Sequence, residues 1–395
     1  MNGGSPSYIN GLIQVLGGKS NLFLLNPSGI VFGANAALNV PAAFVASTAN
    51  RVTFPNGVFD MHTQNVEGLA GNPLALMDLG NGKIEINGAK LSAPERVTLA
   101  AGGGLLADGA KISTDRGVTL VGRKDGFVEI RTEGNILGFA VRRDELQKTT
   151  SIYQLPELLT GNGRLTVRNS EIQGQSAQLL GQEVVIQSSK INVSQPGGGG
   201  VIHIGGDYQG KGLRPNAEHV FIDQASTVQA DAIGIGNGGT IIVWADKATG
   251  FAGQAFAKGG EVGGNGGFVE ISGRNSLQFT GKVDVSAPQG QIGTLLLDPT
   301  NITISNALTT AITFNPLTNT FENALTGANI NINDLVTNLG TANITITTAS
   351  LLPEDGTISI NDSIIYTADS NGYATQAIEN QSLGLIFRST LNKVC

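Results

Sequence analysis

The chain has 395 residues, 24 Lys+Arg against 31 Asp+Glu, 55 Gly, one Trp, three His and a single Cys, for a formal net charge of -7. Charged residues make up 14%, well below the ~25% of an average soluble domain, while glycine is near twice its usual share. This balance excludes a basic nucleic-acid stripe, a helical membrane span of ~18 apolar residues and, with Cys395 alone at the end, any intrachain disulfide or cysteine-based metal site.

In chain order, residues 1–8 begin neither a secretory signal nor an anchor, because no unbroken apolar stretch follows a basic end. A short strand-like run covers 12–16. From residue 82 to 286 the chain is a series of alternating runs, among them Lys83-Ile-Glu-Ile-Asn87, Phe127-Val-Glu-Ile-Arg131, Lys190-Ile-Asn-Val-Ser194 and Lys282-Val-Asp-Val-Ser286, separated by Gly, Asn, Ser or Pro. Period-2 alternation is the mark of a strand with one buried face. Three segments repeat one phrase: glycines at 197–200 then VIHIGGD, at 236–239 then TIIVWAD, and at 264–267 then FVEISGR. In that register Ile202, Ile241 and Val269 share one inward position and Ile204, Val243 and Ile271 the next, while His203, Ile242 and Glu270 point the other way. The turns lie 39 and then 28 residues apart.

The same phrase in the same orientation predicts parallel stacked coils, where equivalent side chains form ladders, and not an antiparallel sandwich or barrel. Each stacked Ile or Val buries roughly 1.5–3 kcal/mol, and glycine at the corners is expected to supply positive φ. At roughly 20–25 residues per coil and about 4.8 Å per layer, a rod on the order of 80 Å long is expected. Residues 141–160 lack alternation and carry helix formers, which predicts a loop or short helical excursion. After residue 305 the pattern loosens, returning in part at 343–347 and 357–361.

Asn21-Leu-Phe-Leu-Leu-Asn-Pro-Ser-Gly-Ile-Val-Phe-Gly33, then Ala37-Leu-Asn-Val40 and Phe44-Val-Ala-Ser-Thr-Ala49, resembles the secretion domain of filamentous-haemagglutinin-like exoproteins, the passengers of two-partner secretion. The family signature Asn-Pro-Asn-Gly-Ile reads here Asn26-Pro27-Ser28-Gly29-Ile30, with Ser28 the departure. All these residues suit a type I turn. Segments from Thr240 to Thr303 also resemble the family's rod, so the likeness covers about residues 1–305. The resemblance implies an all-β, right-handed parallel β-helix, exported unfolded through an outer-membrane β-barrel partner and serving outside the cell as an adhesin toward a host-cell or surface glycan or protein receptor. Scarce cysteine suits threading through a barrel. It also implies a signal peptide and an Asn-Pro-Asn-Leu-type motif ahead of the part seen here, so the chain reads as truncated at its N-terminus, secreting poorly and exposing an unpaired strand edge prone to association. The domains expected are 1–70, the C-terminal part of the secretion domain; 71–305, the rod; and 306–395, a looser β continuation.

Other motifs weigh less. The glycines at 234–239 fit G-x-G-x-x-G, but a dinucleotide site needs a helix next, and a strand follows. At 263–267 a calcium nonapeptide is suggested, but Phe268 stands where the ligand Asp belongs. His62, His203 and His219 read as solvated surface residues. Trp244, on the outward side, is a candidate surface contact for a sugar or partner, with packing beneath a loop the favoured reading. Asp207 and Asp246 align in the repeat and are the one candidate carboxylate pair for a carbohydrate-active enzyme on acidic polysaccharide. They lack that class's motifs, and the next repeat has Arg274 in their place. The reading is therefore a secreted or cell-surface adhesive protein with no enzyme activity, cofactor or metal, or else a remnant of a larger exoprotein.

Overall fold

The computed structural model describes residues 4–63, 66–124, 127–133, 136–142, 163–309, 311–315, 318, 320–322, 328–348, 356–364 and 385–388. The chain divides into two compact units, Met1–Val184 with Gly212–Asn216, and Val185–Lys211 with Ala217–Cys395.

The first unit is a parallel β-helix with three strands to each coil. Ser7–Ile9, Ile30–Phe32, Ile84–Asn87, Leu105–Asp108 and Arg164–Arg168 pair in parallel, one coil upon the next. A second wall stacks Leu22–Leu25, Phe44–Ser47, Arg96–Ala101, Gly117–Gly122 and Ser176–Gly181. A third stacks Leu12–Gln14, Ala37–Asn39, Lys90–Ala93, Lys111–Thr114 and Glu171–Gln173. Alternation sends every second side chain into the coil: Ile30, Ile84, Leu105 and Leu165 form one buried ladder, and Leu99, Leu120 and Leu179 another.

Two coils of this unit carry long excursions. These supply an antiparallel sheet in the order Ile136–Arg142, Phe127–Glu133, Ala75–Met77, Arg51–Phe54, Gly57–Asp60. The run at 127–131, expected as a rung of the stack, belongs to this side sheet: its alternation is real, but its partners are antiparallel. The sheet covers outward residues of the second wall, since Val45, Ala100, Val121 and Leu180 share one buried cluster with Val52, Leu76, Val128 and Ile130. The excursion expected near 141–160 falls at 143–160 outside the described residues, and 141–142 end a strand.

The second unit repeats the principle. Ile191, Val228, Ala255 and Val283 stack on one wall. On another, Ile202, Ile241, Val269, Leu295 and Ile344 are in register, as the repeat required. Ile222, Phe251 and Phe279 form a third ladder, the last two rings 6.2 Å apart and nearly parallel. The looser region continues the stack: Asn301–Ser305 pairs in parallel with Ala328–Asn331 and with Thr357–Ile360.

Sequence reading missed the helix Ile332–Leu339. Its signals were present: Asn331 accepts a hydrogen bond from the Asn333 N–H as N-cap, apolar residues recur at 332, 335 and 339, and Gly340 follows. The buried Asn338 docks it, accepting from the Val283 N–H and donating to the Gly281 carbonyl.

The corner glycines do two jobs. Gly236 and Gly264 have φ of 122° and 119°, as expected. Gly239, Gly267 and Gly293 do not need positive φ. They are required because a Cβ on each would run into the carbonyl oxygen of the glycine one coil before, at Gly200, Gly239 and Gly267.

Candidate functional site

Two places collect functional side chains. The first, in the first unit, is the turn at residues 26–30 between Leu22–Leu25 and Ile30–Phe32. Asn26 is 2% exposed, and its amide is used in full. Nδ2 donates to the Ser5 carbonyl and to Ser7 Oγ, at 3.1 and 2.8 Å, while Oδ1 accepts from the Ser28 N–H at 2.9 Å. The Gly29 N–H closes the turn on the Asn26 carbonyl, and the Ile30 N–H and Gly29 carbonyl bond to Lys83 and Ser7 on the coils either side. Gly29 has φ 122°, and a Cβ there would stand 3.0 Å from the Lys83 carbonyl oxygen. Pro27 lies against the next coil, its carbonyl oxygen where a Cβ on Gly82 would fall. Ile30 is wholly buried. At Ser28 the bond to Asn26 runs through the backbone N–H, an atom every residue but proline supplies.

The second place is the outward face of the second unit at the strands Val201–Ile204, Thr240–Phe251, Phe268–Gly273 and Thr294–Leu297. Here Val201–Ile204 and Ala217–Ile222 both pair with the single long strand Thr240–Phe251. The segment joining the two shorter strands is the extra length behind the 39-residue spacing. Its first part, 205–211, turns back over the face. Gly205 fits against the Trp244 carbonyl, where a Cβ would collide. Tyr208–Gly210 then lies against Thr240–Phe251, with the Tyr208 ring 5.8 Å from that of Phe268.

Gln209 fastens this strap. It sits at φ 51°, ψ 24°, the left-handed region that a non-glycine residue enters at a cost of order 1 kcal/mol. Its N–H donates to both oxygens of Glu270, 3.1 Å each, and its Nε2 donates to Asp298 Oδ2 at 2.8 Å. Lys211 Nζ donates to Gln209 Oε1 at 2.8 Å. Asp298 also accepts from Thr347 Oγ1, and its N–H donates to Ser272 Oγ. Glu270 is 0% exposed. Burial pushes its carboxyl up to about 8, and Asp298 adds to this against the Gln209 N–H, the Ser272 hydroxyl and the Lys211 ammonium. Burial, then Glu270 and Asp298, also raises the Tyr208 phenol.

Several sequence expectations are corrected here. Trp244 is 3% exposed, with Nε1 donating to Asp246 Oδ1 at 3.0 Å; so closed a ring offers no surface contact. His203 is not a solvated residue, since its Nε2 lies 3.5 Å from Asp207 Oδ1 and both side chains are largely covered. His219 stacks on Phe321 at 4.8 Å. Only His62 is exposed as expected. Asp246 pairs with Arg274 at 2.9 Å, the residue that follows it in the repeat. The carboxylates joined by one bridging residue are Glu270 and Asp298, which sequence reading had not brought together. The signal was a glutamate in an outward row whose neighbours in register, Ile242 and Leu296, are apolar. Residues 234–239 lead into the strand Thr240–Phe251.

Among the described residues, no helix is long and apolar enough to cross a membrane. The class defined by these strands is the all-β parallel β-helix. Residues 1–175 match the TPS secretion domain. That stretch of the chain therefore reads as a secretion domain of the two-partner type, a domain that in general implies export with a β-barrel transporter as partner. Among solved structures, the chain is similar to the HMW1 secretion domain from Haemophilus influenzae, with 20% identity, 64% of this chain and 75% of that chain covered, and a TM-score of 0.33. No curated protein matches it.

Proposed function

We propose that this exoprotein acts outside the cell as a filamentous-haemagglutinin-like adhesin. Its role is structural and adhesive, without catalysis, and residues 26–30 form the turn its export requires. The observation that carries the non-catalytic part is the use of the carboxylates. Asp246 is paired with Arg274 and Asp207 with His203, while Glu270 and Asp298 are spent on holding a strap. Hydrolysis of a polysaccharide needs two carboxylates open to one substrate. Adhesion needs only a repetitive wall, where many weak contacts add.

The test is co-expression with the cognate barrel, the chain carrying a periplasmic signal, followed by binding to host cells and glycan arrays. Binding without release of reducing ends or unsaturated uronides is expected. Turnover of an acidic polysaccharide lost in Asp207→Asn or Asp246→Asn would overturn the reading. For the turn, Asn26→Ala is expected to cut export severalfold while Ser28→Asn leaves it unchanged. Equal export of Asn26→Ala and the parent would separate the turn from secretion.

A further inference from the structure

We propose that residues 205–211 are a pH-responsive strap, closed on the outward wall while Glu270 carries its proton and lifting when that proton is lost. Three features of the geometry lead there. The strap is fastened at a residue in a strained conformation, Gln209, beside the Asp207–His203 contact and the packing of the half-exposed Tyr208 ring on Phe268. Its bonds to the wall from Gln209 end on two carboxyl groups, Glu270 through the backbone and Asp298 through the side chain. And among the described residues no cation is bonded to Glu270, the Lys211 ammonium being bonded to Gln209 Oε1.

The charged and titratable groups facing this point come from every element around it. The strap contributes Asp207, Tyr208 and Lys211. The wall contributes His203, Glu270 and Asp298, with Asp246 and Arg274 closing on each other beside Trp244. A second negative charge placed next to Asp298 without water is the unfavourable state. Lifting the strap admits water and removes that penalty. Burial outweighs the Gln209 N–H bond, which by itself favours the ionised form. Linkage then sets the direction: closed favours the protonated acid and open the ionised one, so alkali opens the strap. With the closed-state carboxyl at about 8 against the usual 4.5, the open-to-closed ratio rises by at most a few hundredfold between about pH 5.5 and 9.

The chain's single tryptophan supplies the readout, because Trp244 is buried in the strand on which the strap lies. Acrylamide quenching of its fluorescence is measured across that range, with far-UV circular dichroism following the coil itself. The wild type is expected to become several times more quenchable toward pH 9 with an unchanged far-UV spectrum. Glu270→Gln, which keeps the shape and cannot ionise, should stay closed throughout, and this variant also separates Glu270 from the His203–Asp207 pair. Asp298→Asn removes the neighbouring charge and should shrink the wild-type transition. Quenching that is flat with pH in the wild type overturns the proposal, as does a rise of equal size in Glu270→Gln. If Glu270→Gln does not fold, an Asp298→Asn transition as large as that of the wild type overturns it on its own.

Discussion

Both units cover part of an outward wall, and they do so with opposite chemistry. In the first, the side sheet lays Val52, Leu76, Val128 and Ile130 over Val45, Ala100, Val121 and Leu180, an apolar seal. In the second, a strap lies against Thr240–Phe251 and over Glu270 and is fastened through Gln209 to buried carboxyl groups. The seal draws its strength from area removed from water, which does not depend on protonation. The fastening depends on which of its oxygens carry protons. Two covers on similar parallel walls should therefore respond differently to the same change of conditions.

The largest expected effect is the pH dependence of the second unit. Glu270 has its folded-state pKa raised, so its contribution is fully present below the unfolded value of 4.5 and is lost as pH climbs to about 8. The loss is on the order of 5 kcal/mol at most, less if the strap opens before the coil unfolds. Denaturant melts at several pH values, compared with those of Glu270→Gln, measure it. Next comes the seal: Leu76→Ala leaves a cavity and should cost about 2–5 kcal/mol, by the same amount in acid and alkali. A pH-dependent cost there would erase the contrast between the two covers.

The turn offers a neutral reference, because all of Asn26's partners are amide or hydroxyl groups. Asn26→Ala should cost about 2–3 kcal/mol through the buried groups it leaves unpaired, again flat with pH in thermal melts. Smallest is Gln209→Gly. It relieves the left-handed strain by about 1 kcal/mol and forfeits the bond to Asp298, for a net change of about zero in the melting midpoint.

Much of the stack was legible in the sequence. The positions 202, 241 and 269, and 204, 243 and 271, lie in the register their repetition indicated, because alternation and glycine corners are local properties. What alternation cannot report is what later comes to rest on an outward side chain. His203, Trp244 and Glu270 were all placed facing out, and all three are covered. Phe127–Glu133 alternates as well as any rung does, yet pairs antiparallel with Ile136–Arg142, since period-2 patterning is the same in both kinds of sheet. The turn at 26–30 was legible as a motif, but the reach of Asn26 back to Ser5 and Ser7 was not, because that contact crosses coils.

The strand Thr240–Phe251 runs straight through the point where the preceding coil breaks off after Ile204 and resumes at Ala217. A whole peptide has thus been spliced into one storey of the building at the cost of a single register shift against the floor above, between Ala217 and His219. Two storeys on, the strand breaks again at Arg274 and Asn275, between Phe268–Gly273 and Ser276–Phe279. That break is a natural grafting point for a foreign epitope.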